Sequence, residues 1–273
     1  MFQTRIAAAI GIAALLAGCA AQQAQSDAPA GSESSGQPAV ATTKPVAKPH
    51  VLHHGSRLRN NVALTLDADY SPSAKARVAS GAYPRQVNQA AIDYLTSTGT
   101  AATIFATGMW AETYAADLKS LASHPNFEFG NHTWNHDAWT RTCYGLPYIG
   151  DDSAKRESLQ QTNRAIAQQT GTVPFYVRMP GLCQSKDDER LMASEGLQTV
   201  NTDVSTTDAF ATNAAATARK MLKSAKPGSI LLMHLNGAPN APVTADILKI
   251  LVPGLKAKGL NPVTLSVLMG SGN

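Results

Sequence analysis

Acidic, basic and metal-ligating side chains recur in this chain at the ends of apolar runs. Asp67 and Asp69 close the first, Leu64-Thr65-Leu66-Asp67-Ala68-Asp69. Two carboxylates there are costly unless paired, hydrogen-bonded or metal-bound, the alternative being a solvated surface turn. His132 and His136 stand four apart. On a helix they would share a face, and with one carboxylate they would offer three nitrogen or oxygen ligands and an open position for water. Arg178-Met179-Pro180-Gly181 ends another run; its guanidinium could clamp a carboxylate or form a surface ion pair. Acidic residues return at Asp203 and Asp208, and His234 closes Leu231-Leu232-Met233. A histidine so placed is either a proton carrier or a hydrogen-bonded core residue.

The elements that must position these groups alternate in type. Apolar runs at 61–66, 102–106, 127–129, 175–178, 197–201, 229–234 and 262–265 read as strands. Between them, residues 87–97, 153–169, 187–195, 214–224 and 243–256 read as helices, several stopped by a glycine such as Gly99, Gly171 or Gly196. Trp110, Tyr114, Leu118 and Leu121 recur at helical spacing, as a core stripe does. Strict alternation predicts parallel strands with right-handed crossovers, and about seven strands fit an open doubly wound sheet or a (β/α) barrel. Asp67, Asp69, His132, Arg178, Asp203 and His234 then fall at or just past the C-terminal strand ends, on one rim where such folds place their sites.

Composition bounds the setting. With 273 residues, 44% hydrophobic and 15% charged, the chain can bury a core and is not disordered as a whole. A net charge of +4 spread along the sequence gives no nucleic-acid footprint. Three cysteines are too few for a disulfide scaffold. Residues 1–18 carry Arg5 and then a short apolar run, the pattern of a signal peptide. Its end, Leu16-Ala17-Gly18-Cys19, resembles a bacterial lipobox, which implies acylation of Cys19 and attachment to a lipid bilayer. Residues 19–58 read as a flexible linker ending in the solvated His50, His53 and His54, leaving 59–273 as one folded domain.

Taken in order along the chain, Thr65-Leu66-Asp67-Ala68-Asp69, His132-Thr133-Trp134-Asn135-His136, Arg178-Met179-Pro180-Gly181, Asp208-Ala209 and Leu232-Met233-His234 resemble the motifs of the polysaccharide deacetylases of carbohydrate esterase family 4, the NodB homology domain. The resemblance implies a distorted (β/α) barrel that removes N- or O-acetyl groups from sugars with a divalent metal, often zinc. It implies metal ligation by His132 and His136 and general-base work by Asp67. Arg178 would hold that base, His234 would be the general acid, and Asp208 would orient it.

Two positions depart from the pattern. Ala68 stands where the family has its ligating Asp, so Asp69 is expected to substitute through a local bulge. The alternatives are that Asp67 ligates, or that the His pair binds alone. Ala209 stands where the family has Trp, so Phe210, Trp134 or Trp139 would supply an apolar wall beside Pro180, Gly181 and Leu232. Cys143 and Cys183, an even pair once Cys19 is acylated, are expected to form a disulfide, with two buried free thiols as the alternative. The resulting expectation is a monomeric envelope lipoprotein acting on an acetylated glycan such as peptidoglycan or a chitin-like oligosaccharide. A non-catalytic glycan binder on the same fold, or a hydrolase of a non-sugar amide, are the competing readings.

Overall fold

The first apolar run forms strand β1 (Asn61–Ala68), buried on both faces, in a computed structural model that describes residues 48–205 and 207–270. Seven strands follow: β2 (Ala102–Ala106), β3 (Phe127–Asn131), β4 (Tyr176–Val177), β5 (Gln198–Thr199), β6 (Val204–Ser205), β7 (Ile230–His234) and β8 (Asn261–Val263). All pair in parallel in the order β5-β4-β3-β2-β1-β7-β6, with β8 beside the start of β1. Among the described residues no ladder joins β5 to β6, so the sheet curls into an open, distorted barrel. The expected (β/α) alternation is therefore present without full closure.

The helices are α1 (Pro72–Ala79), α2 (Gln89–Ser97), α3 (Gly108–Thr113), α4 (Ala115–Ala122), α5 (Asp152–Thr170), α6 (Lys186–Ser194), α7 (Ala214–Ser224), α8 (Thr244–Ala257) and α9 (Leu265–Met269). The stripe from Trp110 to Leu121 is buried as expected, but it spans two helices broken at Tyr114 (φ −114°, ψ 39°). There the Tyr114 hydroxyl accepts from the Gln86 amide at 3.0 Å. Helix α1 escaped the periodicity because none of its residues is fully buried, with only Ala74 and Val78 half-buried against the core; its Ser71 cap and Pro72 mark it.

Alternation along β1 sorts its side chains. Val62, Leu64, Leu66 and Ala68 join Ile104, Leu248 and Leu251 in the main core under the helices, where each large aliphatic side chain contributes about 1.5–3 kcal/mol. Ala63 faces the barrel interior with Phe105 and Tyr176. On that same face Ala63 is followed by Thr65 and then Asp67, so polarity rises toward the C-terminal rim.

Two expectations change. The linker does not extend to residue 58, because the Leu52 amide donates to Thr199 O at 2.9 Å and Arg57 pairs with Asp203 at 2.7 Å. Asp203 is not on the functional rim; it accepts from the amide of Ile230, at the start of β7. Cys143 and Cys183 form the expected disulfide, with Cα atoms 6.0 Å apart and a sequence separation of 40. Closing a loop of that length removes unfolded-state freedom corresponding to about 4 kcal/mol. The signal peptide at 1–18, Cys19 and the linker up to residue 47 lie outside the described residues.

Candidate active site

Asp67 lies in β1 and Asp69 is the residue after its end; both carboxylates reach His132 Nε2, at 3.8 and 3.2 Å. No bulge is needed. The ladder to β2 runs unbroken through Asp67↔Phe105 and Ala68↔Ala106. Ala68, fully buried in the apolar core, points the other way. Asn236, two positions after His234, fixes Asp69 further: its Oδ1 accepts from the Asp69 amide at 3.1 Å, and its Nδ2 donates to the Asp69 carbonyl.

Arg178 follows β4 and has no exposed surface. Its Nη1 donates to Asp67 Oδ1 and to Thr65 Oγ1, each at 2.8 Å, and its guanidinium lies 4.3 Å from the Phe105 ring centroid. The fork holds one oxygen of Asp67 and leaves Oδ2 toward His132 Nε2, 3.8 Å away. The Arg178 carbonyl accepts from His132 Nδ1 at 2.8 Å. Donation there leaves the Nε2 lone pair of His132 for a cation.

That Nε2 stands 3.2 Å from Asp69 Oδ1, and His136 Nε2 stands 3.5 Å from the same oxygen. The imidazoles do not share a helix face, since the segment turns through left-handed Thr133 (φ 64°) and His136 (φ 63°). Their ring centroids still approach to 5.1 Å. Asp69, His132 and His136 are the metal-competent cluster among the described residues, and Asp69 Oδ1 is buried without a hydrogen bond. Ligands about 2.0–2.1 Å from a tetrahedral ion stand about 3.3 Å apart, which matches both separations. Asp69 therefore fits the ligand position better than Asp67, whose Oδ1 is taken by Arg178.

Electrostatics divide the histidines. Burial alone would raise the Asp69 carboxyl, but His136, His132 and His234 hold it far below the usual range. Burial lowers His136. His234 is pushed up to about 10: burial opposes the charge, but the Asp208 carboxylate and then Asp69 and Asp67 outweigh it. Asp208, fully buried, accepts from His234 Nδ1, from the His234 amide and from Thr244 Oγ1, all at 2.8 Å. The free His234 Nε2 lies 3.9 Å from Asp69 Oδ2.

A cleft of about 470 Å3 opens over these groups, lined by Gly181, Phe210 and Leu232 among others. Trp134 and Pro180 are not part of it. Trp134 packs over Gly108, where a Cβ would overlap its ring at 2.1 Å, and Pro180 is buried beneath its turn. Trp139, 2% exposed, faces Lys155 instead. Asn236, Thr244 and Tyr144 lie outside the sequence motifs. Register could have found Asn236, which shares a face with His234.

A family model described as polysaccharide deacetylase matches residues 54–200. The chain is 25% identical over 174 residues to a peptidoglycan-N-acetylglucosamine deacetylase of Bacillus cereus, covering 64% of this chain and 60% of that protein. It is 27% identical over 187 residues to a chitin deacetylase of Pestalotiopsis sp, covering 66% and 58%. It thus spans about three fifths of the length of these curated relatives. A crystal structure of a peptidoglycan N-acetylglucosamine deacetylase superposes with a TM-score of 0.68 at 21% identity, covering 81% of this chain and 94% of that one.

The separate settings of Asp69 and Asp67 predict separable losses. Asp69→Ala should weaken zinc binding roughly 10- to 100-fold in calorimetric titration, whereas Asp67→Asn should still bind one equivalent. Equal affinity in the wild type and Asp69→Ala would remove Asp69 from the ligand set.

Proposed function

Since the chain belongs to the polysaccharide deacetylase family, we propose that it hydrolyses acetyl groups from an N-acetylated glycan of the bacterial envelope. The observation that carries this reading is the convergence of Asp69, His132 and His136 with Asp67 at one flank and the His234–Asp208 pair at the other. Ala68 takes no carboxylate from the site, since alternation supplies Asp69. That favours an enzyme over a binder with a lost centre.

Asp69, His132 and His136 would hold a divalent cation such as zinc, which when bound supplies Lewis acidity toward the acyl carbonyl and lowers the pKa of water toward about 7. Asp67 accepts the proton of the attacking water through the oxygen that Arg178 leaves unheld. A C–O bond forms as the C–N bond breaks. His234, kept protonated by Asp208, gives its Nε2 proton to the departing nitrogen, and the products are acetate and an amino sugar. Leu232, only 6% exposed, lines the cleft as an apolar surface for the acetyl methyl.

Residues 16–19 give the envelope location a means: acylated Cys19 would tether the domain to a bilayer, with the chain up to Lys48 as spacer. Among the described residues no helix is long and apolar enough to cross a membrane.

Acetate release from N-acetylglucosamine oligomers and peptidoglycan fragments tests the reading. It should stop with chelator and fall roughly 100- to 10,000-fold in Asp67→Asn; release that persists unchanged in His132→Ala sinks the metal role. The general acid works only while protonated, so activity is lost as pH rises through the pKa of His234. Asp208→Asn removes the main support for that proton, so the alkaline limb of kcat/KM should move to lower pH. A limb that stays in place excludes His234 as the acid. Expressed in a bacterium, the full chain should partition into detergent and Cys19→Ser into the aqueous phase; no difference between them rules out the anchor.

A further inference from the structure

Two large aromatic side chains stand almost wholly in solvent at the mouth of the cleft: Tyr144 and Phe210, each 88% exposed. Exposure at this level gains nothing from packing, and at Tyr144 the backbone is also unfavourable. The Leu146 amide donates to Cys143 O at 2.9 Å, closing a turn whose central residues, Tyr144 (φ 50°) and Gly145 (φ 75°), are both left-handed. Such a turn favours Asn or Gly at its first central position, and a bulky side chain is disfavoured there. Folding does not call for a tyrosine at this place.

The surroundings nevertheless hold it firmly. Cys143, immediately before it, is bonded to Cys183 of the next rim loop. Gly181 (φ 60°) makes room for it: a Cβ there would come within 2.9 Å of the Tyr144 ring and 2.7 Å of Cys143 Sγ. The third sequence motif, Arg178-Met179-Pro180-Gly181, offers no aromatic of its own, and Tyr144 reaches over Gly181 from the neighbouring loop to present one. Its loop follows β3, two strands from β1 on one side; the turn bearing Phe210 follows β6, two strands from β1 on the other. The two rings thus approach the cleft from opposite flanks of the strand that carries Asp67 and Asp69.

We infer that Tyr144 is a specificity-determining residue that seats a pyranose ring of the glycan against its face, with Phe210 as the facing wall. Pyranose rings whose substituents are equatorial present flat C–H faces suited to aromatic contact. The slot accordingly selects gluco-configured chains over sugars in which an axial hydroxyl interrupts that face. The inference rests on the deacetylase reading for its substrate class, but it is read out by binding as well as by turnover.

The experiment uses the full chain loaded with zinc, tetra-N-acetylchitotetraose as probe, and Tyr144→Ala, Tyr144→Phe and Tyr144→Gly. Aromatic contacts of this kind correspond to about a 2- to 10-fold change in affinity. Tyr144→Ala and Tyr144→Gly should weaken calorimetric binding and raise KM by that factor, and Tyr144→Phe should keep wild-type values. Tyr144→Gly, freed of its backbone penalty, should melt at or above the wild-type temperature, whereas a structural role would lower it. Wild-type affinity in Tyr144→Ala overturns the inference, as does failure of the wild type to bind the tetramer. Binding that depends on Tyr144 without any acetate release would instead overturn the deacetylase reading and leave this one standing.

Discussion

The site depends on one buried guanidinium. Arg178 holds Asp67 with its side chain and His132 with its carbonyl, so a single residue sets the orientation of both the proposed base and a proposed metal ligand. A cation with no exposed surface persists because Asp67, Thr65 and the Asn201 carbonyl accept from its two terminal nitrogens and the Phe105 ring covers its face, even though its Nε is buried without a partner. Removing either partner of the ion pair would strand the other in the barrel at a cost of about 3–5 kcal/mol. Stability and chemistry are coupled here. The charge that positions Asp67 is also one the interior must keep neutralised, which ties β1 and β4 across two intervening strands.

Much of this was legible in the sequence. Strands buried on both faces read as continuous apolar runs, so β1, β2 and β7 could be placed to within a residue or two, and amphipathic α7 was placed at its true limits. Asp67, His132, Arg178 and His234 were visible because each ends or follows such a run, and Asp208 through its place in the order of motifs. What stayed hidden lacked local signal. Helix α1 offers only a half-buried edge at Ala74 and Val78, and the break at Tyr114 coincides with contacts to Gln86 and Tyr70, far off in sequence. Trp134 looked like a cleft wall by its place between two histidines. Its ring instead fills the space that Gly108, far off in sequence, leaves open.

The altered first motif shows how a pleated backbone absorbs substitution. Facing alternates along β1, and Asp69, the residue after its end, keeps the sense of Asp67: both carboxylates reach His132 while the intervening Ala68 methyl joins the core. A bulge would have interrupted pairing with Phe105 and Ala106. Register keeps the ladder whole, and with it the floor on which His234 stands opposite Asp67.

The segment from Lys48 to Arg57 has its own consequence for biogenesis. Its first partner is Gln198, 150 residues later, and Arg57 waits for Asp203 and Pro227. The beginning of the domain therefore cannot be seated until most of the polypeptide has been synthesised. Until then the incipient sheet keeps a raw margin, and contacts of such long range make for slow maturation. A domain that locks only when its late strands arrive stays loosely held until its C-terminal half is in place.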